Sequence, residues 1–154
     1  MTFLLNEHSS LRPILVVEDN DMDLDFCMQA FEENAVANPI IACRDGDEAL
    51  QFIDAHPSFE DRLFPLLVLL DLRLPKVDGI DVLRYARQHP VWKQAPFVIL
   101  TTSRENADIE TAYQLGVNSY IVKPVDFGSF TEVVKNIKMY WVLTNEPPFS
   151  LNGK

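Results

Sequence analysis

LLVLLDLRLPKVDG, residues 66–79, opens with five consecutive apolar side chains and turns polar at Asp71. Unbroken apolarity over so short a run marks a strand buried on both faces, as in a parallel sheet, rather than a strand with one wet face. Four more runs have this character: Ile14–Val17, Pro39–Ala42, Phe97–Leu100 and Tyr120–Val122. The segments between them are amphipathic. Leu24, Met28 and Phe31 recur at helical spacing after Asn20, as do Ala49, Phe52 and Ile53 after Gly46, and Ile80 and Leu83 after Asp78-Gly79. Ile109, Ala112 and Tyr113 precede Gly116, a residue suited to ending a helix. The last helix is expected to start after Asp126 as N-cap and to run to about Leu143. Five repeats of strand then helix predict an α/β fold: a doubly wound, five-stranded parallel sheet with five helices and right-handed crossovers. Residues 1–11 form an N-terminal extension, 12–143 the folded domain and 144–154 a tail expected to be extended or disordered. The polar stretch from Ala55 to Pro65 is expected to be a surface loop.

Bulk properties narrow the function. The 154 residues suit one domain with a real core, and 47% hydrophobic content is that of a globular chain. A formal net charge of −10 repels phosphate backbones and argues against nucleic acid as a partner. No apolar run approaches the roughly 20 residues that span a bilayer, and no basic leader precedes Phe3–Leu5, so neither a membrane anchor nor a secretory signal is expected. Cys27 and Cys43 each sit inside an apolar run and read as free buried thiols in a reducing compartment. His8, His56 and His89 lack the spacing of a zinc site.

In open α/β sheets, ligands bind beyond the carboxyl ends of the strands. There the chain places Glu18, Asp19 and Asn20, then Asp71, then Thr101, Thr102 and Ser103, and last Lys123 and Pro124. Each has a plainer reading alone. An acidic pair favours a helix N-terminus, an aspartate starts turns, a threonine caps helices, and a loop lysine is solvated. Together they are hard to explain as coincidence. Three converging carboxylates repel one another, and a hard divalent cation relieves the conflict; Mg²⁺ suits few carboxylates and several waters. A phosphoryl group then fits between the ion and the Lys123 ammonium, with Thr101 donating to one of its oxygens. Asp71, capping a very apolar strand, is the expected nucleophile.

These segments are similar to the receiver domains of bacterial two-component response regulators, over about Arg12 to Leu143. ILVVEDN (14–20) resembles the family's acidic-pair strand, and LLDLRLPKVDG (69–79) its acceptor segment, with proline four and glycine eight residues after the aspartate. VILTTS (98–103) carries the switch hydroxyl and SYIVKPVD (119–126) the lysine-proline pair. Asp19 to Asp71 and Asp71 to Lys123 are equal intervals of 52 residues. The resemblance implies a flavodoxin-like strand order 2-1-3-4-5, phosphorylation of Asp71 by a partner histidine kinase, and Mg²⁺, with Mn²⁺ as substitute. It implies metal ligation by Asp19 and Asp71, by Glu18 through water, and by the backbone carbonyl of Arg73. It further implies Thr101 and Tyr120 as switch residues, Lys123 on the phosphoryl oxygens, and a cis Lys123–Pro124 bond. Glu18 stands where aspartate is commoner, and the Arg73 side chain is expected at the pocket mouth.

The long loop before the third run, residues 100–130 and the ending VVKNIKMYW (133–141) resemble the stand-alone regulators that partner cyanobacterial and bacterial phytochromes. With about 30 residues after Lys123, output is expected through protein contacts or a downstream phosphotransfer protein. Three alternatives fit the residues less well: a haloacid-dehalogenase-like aspartyl phosphatase wants an acid where Arg73 stands, a dinucleotide-binding module wants a G-x-G-x-x-G after the first strand, and a degenerate receiver acting only as a binding module would lack part of the site. A homodimer is expected through the last helix. Phe130, Val134, Ile137 and Trp141 form its core stripe; Val133 and Tyr140 widen it, and the interface set is Val133, Ile137, Tyr140 and Trp141, with Phe149 and Leu151 of the tail adding apolar surface.

Overall fold

The computed structural model describes residues 2–5 and 11–149. Six strands form one sheet: β1 (Thr2–Leu5), β2 (Ile14–Val17), β3 (Ile40–Cys43), β4 (Leu67–Leu70), β5 (Phe97–Thr101) and β6 (Ser119–Val122), in the order β1-β3-β2-β4-β5-β6. Strands β2 to β6 are parallel and give the expected 2-1-3-4-5 order. β1 is an addition: it runs antiparallel along β3, with Thr2 opposite Ala42 and a register shift before Leu5. Its sign in the sequence is the apolar patch Phe3–Leu5. An edge of β3 that would otherwise present unpaired backbone groups is thereby covered.

Helices α1 (Asp21–Glu33) and α5 (Phe127–Ile137) cover one face, where Leu24, Cys27, Phe31, Phe130 and Val134 pack on Ile14, Val16, Leu69 and Val98. Helices α2 (Gly46–Ala55), α3 (Gly79–Gln88) and α4 (Asn106–Gln114) lie on the other, where Phe52, Ile53, Val82, Leu83 and Ala112 pack on Leu15, Val17, Val68 and Ile99. Alternate residues of each strand thus enter opposite cores, which is why the runs are apolar throughout. Asn20 and Asp126 cap α1 and α5 by accepting the backbone N–H of Asp23 and Ser129. Gly116, at φ +76°, follows α4 in the left-handed conformation that glycine adopts without strain. Regular α-helix stops at Ile137, short of the expected Leu143, and the chain continues through a wider π-helical turn, Lys138–Val142.

The 56–65 loop runs along the surface as expected, but it is tied to the core, and the tail differs from expectation. Arg12 is fully buried, and its guanidinium donates to the carbonyls of Phe59, Asp61 and Phe64, the last two at 3.0 and 3.1 Å. Phe149 stacks on Phe59 at 5.2 Å between ring centroids, and the Arg12 guanidinium lies 4.9 Å from its ring. The tail as far as Phe149 is therefore packed. It joins the α2–α3–α4 side and not the surface of α5, because buried cationic and aromatic partners there outweigh the entropy of a free end. Leu151 lies outside the described residues. Cys27 and Cys43 are buried and unpaired. No described helix is long and apolar enough to cross a membrane.

Candidate functional site

The sheet ladder carries its carboxyl ends into one pocket. The Asp71 N–H donates to Val17 O at 3.1 Å, Glu18 N–H to Cys43 O at 3.0 Å and Lys123 N–H to Thr101 O at 2.7 Å. The loop after Asp71 folds back hard. Gly79 N–H donates to Leu72 O at 2.9 Å, and a Cβ at Gly79 would stand 2.2 Å from the Asp71 carbonyl oxygen. A glycine eight residues past the acidic strand end is thus required by close approach of α3 to the Asp71 backbone.

Glu18, Asp19 and Asp71 offer oxygens that all lie within 4.8 Å of one another. Lys123 Nζ reaches Glu18 Oε1 at 2.6 Å, Asp23 Oδ2 at 2.7 Å and Asp71 Oδ2 at 2.8 Å. Three ammonium donors meet three carboxylates, all in a sheltered pocket. Burial disfavours the Lys123 cation, but the hydrogen bonds to Asp23, Asp71 and Glu18 outweigh it and hold its pKa above that of an ordinary lysine. Burial pushes the Glu18 carboxyl up to about 7 against the pull of Lys123, and the charge of Asp71 adds to the rise. One ammonium leaves negative charge uncompensated. The donor set is entirely hard oxygen, and it fits a divalent cation of the Mg²⁺ or Mn²⁺ type.

The other expected residues are near but differently engaged. Thr101 is fully buried at the end of β5, its Oγ1 facing the Ser103 N–H at 3.5 Å. Tyr120 is half-buried, and its hydroxyl donates to the Ser103 carbonyl at 3.0 Å. Arg73 gives its N–H to Asp71 Oδ1 at 3.2 Å, while its side chain turns to Asp108 at the start of α4. The Lys123–Pro124 bond departs from the cis form that the resemblance implies. No cis peptide bond occurs among the described residues, so it is trans, the form an X–Pro bond favours by roughly 0.5–1 kcal/mol. Val133 and Trp141 are half-buried and Tyr140 is exposed, whereas Ile137 is buried in its own core. Two site residues escaped sequence reasoning. Asp23 reads as one more acid in a helix first turn, and Asp108 as a solvated helix residue; spacing alone does not aim either at the pocket.

The protein-family description "Response regulator receiver domain" matches residues 14–135. A relative from Methanothrix harundinacea, named as probable methanogenesis regulatory protein FilR2, is 42% identical over 135 residues, which is 88% of this chain and 86% of its own length. Response regulator Rcp1 of Synechocystis sp. is 34% identical over 139 residues, covering 90% of this chain and 95% of its own. Among solved structures, the phosphorylated cyanobacterial phytochrome response regulator RcpA superposes with a TM-score of 0.82 at 35% identity, over 90% of this chain and 99% of that one. The Mn²⁺-bound form of Rcp1 superposes with a TM-score of 0.80 at 34% identity, over 89% and 99%.

Proposed function

Because the chain belongs to the response regulator receiver family, we propose that Asp71 accepts a phosphoryl group from a sensor histidine kinase in a Mg²⁺-dependent reaction, and that the acyl phosphate signals by changing protein contacts. The observation that carries this reading is the meeting of Glu18, Asp19 and Asp71 within 4.8 Å beside an ammonium 2.8 Å from Asp71. An Asp71 carboxylate oxygen bonds to phosphorus as the donor's bond to phosphorus breaks. Glu18, Asp19, Asp71 and the Arg73 carbonyl would hold the Mg²⁺ or Mn²⁺, whose charge offsets that of the carboxylates and the phosphoryl oxygens. Lys123 turns its Asp71 hydrogen bond to a phosphoryl oxygen, and Thr101 supplies a hydroxyl donor. Tyr120 moves with the loop that its hydroxyl holds at Ser103. Family members are generally signalling proteins rather than enzymes, and Arg73 occupies the position where an aspartyl phosphatase needs an acid.

We take residues 12–143 as the receiver domain and assign a phytochrome as the kinase, a reading supported by the likeness to RcpA and Rcp1. Output passes to protein partners, including a phosphotransfer protein. Two buried, unpaired cysteines suit the cytoplasm, where thiols stay reduced. A homodimer through α4, β6 and α5 is supported by a cavity of about 320 Å³, lined by Ser119, Ile121, Val133, Ile137 and Trp141, beside exposed Tyr140. The test of the acceptor is labelling by acetyl phosphate. Label on wild type with Mg²⁺, none with chelator and none on Asp71→Asn is expected; equal label on Asp71→Asn would reject the assignment.

A further inference from the structure

Arg73 Nη2 lies 2.5 Å from Asp108 Oδ2 and 3.8 Å from Glu105 Oε2, at the first turn of α4. The same Asp108 oxygen accepts the Ser103 hydroxyl at 2.6 Å. Ser103 in turn receives the Tyr120 hydroxyl at its carbonyl. One carboxylate therefore gathers three segments: the loop after Asp71, the β5–α4 loop and α4 itself. Its side chain is 18% exposed against 50% for Arg73, so Asp108 is the sheltered member of the pair and Arg73 the solvent-facing one. The Arg73 N–H also donates to Asp71 Oδ1 at 3.2 Å, so the residue whose side chain pairs with Asp108 stands directly beside the acceptor carboxylate.

We propose that Asp108 is a positioning residue for the phosphorylated state, competing with the phosphoryl group on Asp71 for the Arg73 guanidinium and thereby setting the phosphoryl lifetime. The proposal rests on the reading of Asp71 as acceptor. A phosphoryl group brings close to two negative charges two residues from Arg73, and a guanidinium matches phosphate oxygens as well as it matches a carboxylate. In hydrolysis, water forms a bond to phosphorus as the bond to Asp71 breaks, giving the free carboxylate and inorganic phosphate, with both water protons kept by the phosphate. A guanidinium seated on the phosphoryl oxygens obstructs one approach of that water. Asp108 draws it away, so the carboxylate shortens the lifetime.

The experiment labels the full chain with acetyl phosphate and Mg²⁺, removes the donor and follows phosphoaspartate decay. Wild type, Asp108→Asn, Asp108→Glu, Arg73→Ala and the double variant Arg73→Ala with Asp108→Asn are compared. Asp108→Asn is expected to slow decay by about threefold, the scale of a part-exposed ion pair, and Asp108→Glu to return it toward wild type. On the Arg73→Ala background, Asp108→Asn is expected to change nothing, a dependence that a merely structural role would not produce. Unchanged or faster decay in Asp108→Asn, or slowing that persists without Arg73, overturns the proposal. A wild type that takes no label overturns the acceptor assignment instead, and this proposal with it.

Discussion

Asp23 Oδ2 and Lys123 Nζ, a hundred residues apart in the chain, meet at 2.7 Å. Asp23 reaches the pocket from the first turn of α1, whose N-cap, Asn20, accepts the Asp23 N–H and so fixes the start of the helix. The ammonium is thereby saturated by Asp23, Glu18 and Asp71. Of the three carboxylates, Asp23 is the most exposed, and it stands outside the cluster of Glu18, Asp19 and Asp71.

Asp23→Asn is therefore expected to keep phosphoryl acceptance within about threefold of wild type, since a part-exposed ion pair contributes about 1 kcal/mol or less. Acetyl phosphate labelling with Mg²⁺ measures this. Loss of label as complete as in Asp71→Asn would make Asp23 a member of the metal-binding set.

Lys123→Ala leaves the acceptor and the acidic cluster in place. It is expected to take label, more slowly, and to fail to switch, because the lysine reads the phosphoryl charge more than it makes the bond. Chemical shifts at Tyr120 and α4 report the outcome. If the phosphorylated variant moves those shifts as wild type does, Lys123 is not the reader.

Glu18 gives a pH prediction. Its folded value, about 7, lies above its ordinary 4.5. A carboxyl raised by folding contributes stability that is whole below about 4.5 and is lost as pH rises to about 7, a loss on the order of 3 kcal/mol. Glu18→Gln should therefore melt above wild type near pH 8 in chelator, with the gap closing toward pH 5. Saturating Mg²⁺ should narrow or reverse the difference, because the ion stabilises only a site that binds it. A Gln variant less stable than wild type near pH 8 without metal would contradict this.

Four of the five parallel strands were legible because each is buried on both faces and so writes a continuous apolar run, whereas β6, half-buried at the sheet's edge, shows only the shorter run Tyr120–Val122. Asp71, Glu18, Asp19, Thr101 and Lys123 were legible because each follows such a run, and topology brings strand ends together. Asp23 and Asp108 were not, since they enter from helix first turns, where acids are common for reasons of helix polarity alone. β1 was missed because three apolar residues do not distinguish a strand from a tail. The role of Arg12 was missed because a guanidinium before a strand looks solvated; its burial follows from three loop carbonyls far along the chain.

That burial makes Arg12 a stability test. Arg12→Met removes hydrogen bonds from a charged donor to the carbonyls of Phe59, Asp61 and Phe64, and is expected to cost about 3 kcal/mol in urea unfolding. Phe149→Ala should cost about 1–2 kcal/mol and be non-additive with it, since the guanidinium lies on that ring. Additive effects would mean that the tail and the loop are held independently.

The proposed dimer rests on what α5 leaves uncovered. Phe130, Val134 and Ile137 are spent on the core, as a single apolar stripe should be. Beyond Ile137, the π-helical turn turns Met139 and Tyr140 outward, and Leu143 follows; all three are about half exposed or more. Val133 and Trp141 line the open cavity with Ser119 and Ile121 of β6, the strand at the sheet's other edge. Phe149 cannot cover this face, because it packs against Phe59 and Phe64. A second copy could fill the cavity with its own Tyr140 while offering the same cavity in return, as a two-fold contact requires. Phosphorylation would act on the face through Tyr120, which lies on β6 and is tied to the Ser103 loop. Light scattering at tens of micromolar is expected to give the mass of a dimer for wild type and of a monomer for Tyr140→Glu, with the phosphodonor shifting the balance. Wild type monomeric with and without phosphodonor would leave this apolar face to a different protein.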